Sequence, residues 1–404
     1  MVEGALEGIK VIEFGHFLFV PAATVILADW GANVIKIENP RGGDPARFPQ
    51  SVEDWVPPPG VGMNLEVFNR NKRSLALDIT KEHGREILHK LVRGADVFAT
   101  NFDPRAVVKA KADYDTLSKV NPRLVYCQCT GYGTAGPDRD KPGFDYTAFW
   151  ARSGTMDRIS GPGEDPRPLR AGFGDNLASP AVAGAIAAAL FARERTGVGQ
   201  KVELSLYHFG VWGLALDIQA ALVTGEQIGQ TSRRTVKNAL WNCYQAKDGR
   251  WLVVVMPQTD RYWPRFCRAI GKPEWEKDDR FDSHMKRMKE NLTLVPAVEE
   301  IMATRTAAEW EEISQEYDLV LGRIQTPLEV VEDPQAWENG FFTEIDHPRL
   351  KRFKLIQSPI KFSRTPASIK SAAPELGQHT EEVLLELGYT WDDIAEFKLE
   401  SVVI

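Results

Sequence analysis

Four apolar runs of strand character, kept apart by helix-length segments, set the strongest limit on what this chain can fold into. They are IKVIEF (residues 9–14), ANVIKIE (32–38), DVFATNF (96–102) and RLVYCQCTGY (123–132). Between them lie PAATVILADWG, KEHGREILHKLVRGA and RAVVKAKADYDTLSKVN, which read as helices. Strands that alternate with helices pair in parallel, because a crossover can return the chain to the same sheet edge and a tight hairpin cannot. The pattern predicts an α/β domain. Gly31 stands where a helix C-terminal glycine belongs. The second strand ends in Glu38, so the opening imitates a dinucleotide-binding unit. The turn after the first strand, however, reads GHFLFVP rather than G-x-G-x-x-G, so the phosphate cradle is missing and a nicotinamide cofactor is set aside.

A chain of 404 residues exceeds one ordinary core. Near residue 225 the texture changes: EQIGQTSRRTVKN is linker-like, and WNCYQAKDGRWLVVVMP reads as a hairpin turning at Asp248-Gly249. Charged helical segments follow from Asp260 to about Tyr317, and a Pro-containing stretch leads to the helical ending HTEEVLLELGYTWDDIAEFKLESVVI. The expected division is a large α/β part over 1–205, a linker over 206–230, a smaller α+β domain over 231–330, and a return to the large domain over 331–404. A net charge of −7 argues against nucleic acid or an anionic membrane as a partner. The four cysteines offer only one C-x-C pair, a poor zinc pattern, so no metal is expected. The apolar run from Ala181 to Ala192 falls short of the about 20 residues that cross a bilayer and reads as a core helix. With no signal peptide at the start, the expected location is the cytoplasm.

Any anionic ligand must therefore meet local cations. Three basic groups qualify: Arg70, Lys72 and Arg73 in NRNKRS, then Arg105, Lys109 and Lys111, then Arg139 and Lys141. If the loops after the strands converge on one sheet edge, these groups could hold a diphosphate; the bland alternative is a solvated charged surface. Asp175, in RAGFGDNLASP, is the other conspicuous residue. Ser179-Pro180 supplies its own helix-start signal, which leaves Asp175 in the glycine-bearing loop just upstream. There it is either a cap or turn residue, or a nucleophile or base whose loop N–H groups could stabilise an oxyanion. Asp145 in PGFDYTAF is a second candidate acid, with a salt-bridged loop as its alternative. His16 could reach a ligand, although a packed histidine is commoner; His208 reads as core. Trp150, Phe149, Phe173 and Trp241 could line an acyl pocket or simply fill the core. No G-x-S-x-G, H-E-x-x-H or Walker motif is present.

The blocks LEGIKVIEF, GANVIKIE, NRNKRSLALDI, ADVFATNFDP, GYGTAGP, PGFDYTAFWARSG, GFGDNLAS, RTGVGQKVELSL and HTEEVLLELGY, in this order, resemble the family III CoA-transferases. That group includes formyl-CoA and carnitine CoA-transferases and, in the same fold, α-methylacyl-CoA racemase. PGFDYTAFWARSG looks most like the branch that activates 2-hydroxy acids such as phenyllactate or 2-hydroxyisocaproate. The resemblance implies a large Rossmann-like parallel-sheet domain, a smaller α+β domain and an interlocked, ring-shaped homodimer. It makes Asp175 the covalent aspartate and Asp145 a second acid beside it. It places Asn101, Ala106, Lys109, Lys72 and Lys141 at CoA contacts, with Arg41 as the substitute for an early arginine near the adenine. Coenzyme A and acyl-CoA are then substrates, and no permanent cofactor is implied. Leu18 replaces a glutamine of formyl-CoA transferase, which suggests a more apolar acyl group. Two alternatives remain: a racemase, opposed by Phe144 where racemases of this fold carry histidine, and a catalytically silent CoA-binding protein.

Overall fold

Alternation of side chains along the first strand explains the layering. Val11 and Ile12 are both buried yet belong to different apolar clusters, one on each face of the sheet. A parallel sheet needs cover on both faces, and here helices supply it. The computed structural model describes residues 4–49, 56–58 and 61–404. The chain divides into two compact units: Met1–Ile159, Pro166–Glu226 and Glu338–Ile404 form the first, and Ser160–Asp165 and Gln227–Trp337 the second.

The first unit holds a six-stranded, all-parallel sheet in the order β3-β2-β1-β4-β5-β6. Its strands are β1 (Lys10–Phe14), β2 (Asn33–Glu38), β3 (Lys72–Ala76), β4 (Val97–Thr100), β5 (Val125–Thr130) and β6 (Lys201–Ser205). The helices between them are α1 (Phe19–Asp29), α2 (Met63–Asn69), α3 (Glu82–Arg93), α4 (Pro104–Lys109), α5 (Tyr114–Val120), α6 (Thr155–Ile159) and α7 (Phe173–Thr196). A π-helix runs over Asp145–Arg152. Every residue of α1 is buried, which suits a helix apolar on all sides, and it packs against α7. Trp30 ends α1 and Gly31 follows at φ +100°, the left-handed C-terminal position expected of it. On the opposite face Ile87, Leu88 and Leu91 of α3 meet Val383, Leu384 and Phe397 of the C-terminal helices Thr380–Glu386 and Trp391–Leu399.

The start of α7 departs from the expected one. α7 begins at Phe173, not at Ser179-Pro180, and runs for 24 residues. Gly172, at φ +88°, turns the chain into the helix, so Asp175 sits in the first helical turn rather than in a loop. Pro180 is then an interior residue, and Ser179 Oγ donates to the Asp175 carbonyl at 2.6 Å. At this length α7 can cross a bilayer by length and composition, the only single helix among the described residues that can. Its stripe of Ala178, Val182, Ala183 and Ile186 is buried in the core cluster that α1 shares.

The second unit is an antiparallel sheet of β7 (Trp241–Gln245), β8 (Trp251–Val255) and β9 (Leu321–Arg323). The hairpin turns as expected, with Gly249 at φ +77°. Tyr244, Leu252 and Val254 meet Trp263 and Phe266 of the helix Thr259–Ala269 and Leu294 and Val298 of the helix Asn291–Met302.

Candidate active site

Strand order reverses between β1 and β4, so the loops leaving these strands diverge and open a crevice at the carboxyl edge of the sheet. The two loops are locked together there. His16 donates its backbone N–H to Asn101 Oδ1 (3.0 Å), and Asn101 Nδ2 donates back to the His16 carbonyl (2.9 Å). Phe17 is held at φ +57°, a conformation unusual for a side-chain-bearing residue, and donates its N–H to Asp44 Oδ1 at 3.0 Å.

Beneath the crevice lies a buried ionic network. Lys36 Nζ donates to Glu13 (2.6 Å) and to the Gly15 carbonyl (3.0 Å) and pairs with Asp44 at 2.8 Å. Lys72 Nζ donates to Glu13 (2.7 Å), the Pro21 carbonyl (2.9 Å) and Asn69 (3.0 Å). Burial pushes the Glu13 carboxyl up, but the two ammoniums overcome it and hold it at about 2. Burial also works against Lys36, yet Glu13, Asp44 and Glu38 keep it above the ordinary lysine range. Lys72 shares its one carboxylate with Lys36, so burial wins there and pulls it down to about 8. Lys72 is thus withdrawn from the surface on which the sequence reading placed it: β3 begins at this residue and turns its side chain inward. Arg70 and Arg73 are likewise spent, on Asp29 and on Glu382 and Glu386.

Asp145 and Asp175 come together at the start of α7. Asp145, buried, accepts the backbone N–H groups of Gly172 and Gly174, each at 2.9 Å, and Trp150 Nε1 at 3.3 Å. Loop N–H groups were expected to be available to an oxyanion; those of Gly172 and Gly174 serve Asp145 instead. Both glycines are required by space. A Cβ at 172 would lie 2.2 Å from Leu18 Cδ1, and one at 174 would lie 2.3 Å from Asp145 Oδ1. The Asp175 carboxylate accepts no hydrogen bond from any described residue. Burial, reinforced by the charge of Asp145, pushes its carboxyl up to about 7. A helix N-terminus stabilises an anion by about 0.3–1 kcal/mol, whereas a rise of some three pKa units is about 4 kcal/mol, so desolvation decides. Burial raises Asp145 too, against the lowering effect of its backbone donors.

Asp175 lines a pocket of about 70 Å³ whose other walls include Leu18, Phe19, Asn101, Cys129, Phe144, Asp145 and Leu206. Burial holds the Cys129 thiol well above its ordinary range, so it stays protonated. His16 lines this pocket and also a neighbouring cavity of about 380 Å³, walled by Ile37, Asn39, Leu77, Thr80, Phe102 and Ala106. A cleft of about 780 Å³ is lined by the far side of α4, where Lys109 sits with Arg105 and Arg139. The crevice therefore gathers Asp175, Asp145, Asn101 and Ala106. Lys109 borders the cleft, and the exposed Arg41 and Lys141 line none of the three cavities. Phe149 and Trp150 are core, while Phe173 is partly exposed with its ring 5.4 Å from that of Trp150; Trp241 lies in the second unit, 57% exposed.

The network of Glu13, Lys36 and Asp44 was not singled out from sequence. Its signal was present in two charged residues, Glu13 and Lys36, set inside otherwise apolar strands, where they pair across β1 and β2.

The model of CoA-transferase family III matches residues 6–380, and the chain belongs to that family. Similar curated proteins include the (R)-2-hydroxy-4-methylpentanoate CoA-transferase of Clostridioides difficile, 35% identical with 98% of this chain and 99% of the relative covered. Cinnamoyl-CoA:phenyllactate CoA-transferase of Clostridium sporogenes is 34% identical, with 98% and 97% covered. A solved CAIB/BAIF family protein from Brucella suis superposes with TM-score 0.81 at 28% identity, covering 95% of this chain and all of the other. The protein is a CoA-transferase, and CoA thioesters are its substrates.

Proposed function

We propose that this protein moves CoA from an acyl-CoA to an apolar 2-hydroxy or aryl carboxylic acid through a covalent intermediate on Asp175. The observation that carries the reading is the state of that carboxylate: desolvated, without a hydrogen-bond donor, and set in a small pocket that adjoins the larger cavity at His16. A carboxylate stripped of its solvating donors is a stronger nucleophile than one in water. Asp175 attacks the thioester carbonyl, forming a mixed anhydride and releasing the CoA thiolate. The thiolate attacks the aspartyl carbonyl of the anhydride and frees the first acid, leaving an aspartyl-CoA thioester. The acceptor carboxylate then runs the two steps in reverse. No net proton is moved. Holding carboxylate, carbonyl and thiolate in contact supplies most of the rate.

Asn101 and Ala106, in the walls of the pocket and the cavity, line the path proposed for CoA, with the exposed cations Arg41, Lys109 and Lys141 meeting its phosphates on an otherwise acidic chain. The apolar side chains of Leu18, Phe19, Phe144 and Leu206 favour an apolar acyl group, in keeping with the acids named for the two clostridial relatives. Phe144 has no proton to exchange, which favours transfer over racemisation. The proposed assembly is an interlocked homodimer: the helix Ala215–Thr224 buries no residue, and Leu216, Leu222 and Val223 stand at least 74% exposed.

The test is incubation with a panel of acyl-CoAs followed by peptide mass analysis. An acyl or CoA adduct, lost to hydroxylamine, is expected on Asp175. An adduct elsewhere, or full transfer by D175A, overturns the reading; α-deuterium uptake from D₂O without an acceptor acid would select the racemase instead.

A further inference from the structure

Along an acyl-CoA the atoms run in a fixed order: the body of CoA, the sulfur, the carbonyl carbon, the acyl group. If the carbonyl carbon is bonded by Asp175 in the small pocket and the body of CoA enters the larger cavity, the sulfur lies where the two meet. Among the described residues His16 is the one that lines both.

That position matters because charge collects on sulfur as the thioester opens. Neither cavity has a lysine or arginine among its described lining residues, and the larger one contributes the carboxylates Glu38, Asp44 and Asp78. Lys36, in the network below, is fully buried and committed to Glu13, Asp44 and the Gly15 carbonyl. The Asn101 amide is committed at both ends to the His16 backbone. The His16 ring is different. Its nitrogens have no partner among the described residues, and its edges are fixed by aromatic packing on Phe102 (centroids 4.4 Å, 77°) and Phe17 (5.0 Å, 90°).

We infer that His16 is a further catalytic residue: it donates an imidazole N–H to the thioester sulfur and stabilises the thiolate that forms there. The inference rests on the aspartyl transfer reading given above. As the Asp175 oxygen bonds to the carbonyl carbon, the C–S bond breaks and its electron pair goes to sulfur; the proton stays on the ring throughout. Burial keeps the imidazole below the ordinary histidine range, with Asp44 opposing and Lys36 assisting, so at neutral pH the ring is uncharged and carries one N–H. A neutral donor suits a reversible step, since a full positive charge would hold the thiolate too tightly to attack again.

Two measurements test this. The first is ultraviolet titration of the thiol of CoA bound to the wild-type enzyme. Its ionisation should fall below that of free CoA by about one pH unit, a tenfold gain in thiolate. The second compares variants: H16F, which keeps the edge-to-face packing, should lower kcat by about 10- to 100-fold. Its Kd for CoA should stay within about threefold, and H16N, which restores an N–H, should recover part of the loss. An unshifted thiol, an H16F enzyme within threefold of wild type, a loss of CoA affinity that matches the loss of kcat, or no recovery in H16N overturns the inference. The titration needs no variant, so it decides even where H16F does not fold. A wild-type protein that binds CoA but transfers none overturns the transfer reading itself, a result separable from all of these.

Discussion

Asp145 binds the turn that carries Asp175 and at the same time repels its charge. The Asp145 carboxylate accepts N–H groups on both sides of Phe173, at Gly172 and Gly174, and that anchored turn places the second carboxylate close enough for Asp145 to raise its pKa. Two acidic side chains thus differ in state: one is hydrogen-bonded to the backbone, the other is bare and desolvated.

The pH dependence of turnover should report this pair. In the proposed transfer Asp175 attacks in its ionised form, so the acid limb of kcat is expected near pH 7. D145N removes the like charge and should move that limb to lower pH while lowering the maximum rate, because an amide NH₂ then faces a backbone N–H. A limb unmoved in D145N would sink the electrostatic link.

Stability should show the same shift with a definite sign. The Asp175 carboxyl titrates near 7 when folded and near an ordinary aspartate value, about 3.9, when unfolded. The native chain therefore holds this proton more tightly, and stability falls as pH rises from about 4 to 7. D175N lacks the ionising group. Its Tm is expected to exceed that of wild type at pH 8, by a difference worth about 2–4 kcal/mol, and to match it near pH 4. Transfer by D175N should drop at least about 10³-fold. Equal Tm values across that range would contradict the desolvated state.

G174A places a methyl group against Asp145 Oδ1 and within 2.4 Å of Phe149 Cγ. The backbone must give way, carrying Asp175 with it. Transfer is expected to fall by more than about tenfold, since small displacements of reacting groups are costly. Wild-type kcat in this variant would show that the turn tolerates movement.

K36M removes a buried ammonium and leaves Glu13 with Lys72 as its one ion-pair partner, beside the Thr24 hydroxyl, and Asp44 without its ion pair. Breaking a buried pair costs about 3–5 kcal/mol, which urea denaturation will read directly. A loss under about 1 kcal/mol would mean that water reaches the network.

Much of this was readable in the residues alone. Four of the six strands of the sheet follow from apolar runs and the hairpin from Asp248-Gly249, because both depend on local chemistry, whereas β3 and β6 carry charged residues and lack such a run. Asp175 and Asp145 stood out as carboxylates in glycine- and aromatic-rich surroundings. The start of α7 did not, since Ser179-Pro180 carries a start signal as good as any, and the helix instead begins after Gly172, whose N–H is held by the distant Asp145. The fate of Lys72 was hidden for a similar reason. A lysine at the first position of a strand points to solvent or to the interior according to register, and β3 pairs so that it meets Glu13. The meeting of His16 with Asn101 spans 85 positions and left no trace in either local sequence.

Because Asp145 takes both glycine N–H groups, the turn offers the tetrahedral oxygen of an attacked carbonyl neither of them. Opening an ester or an amide leans heavily on such donors, whereas a thioester is already activated by its weak C–S conjugation and its willing leaving group. For the proposed aspartyl transfer the expected consequence is a preference for sulfur over oxygen: an oxygen-ester analogue of a good CoA substrate should bind and stay intact, and recovery of hydrolysed or transferred product from it would show otherwise.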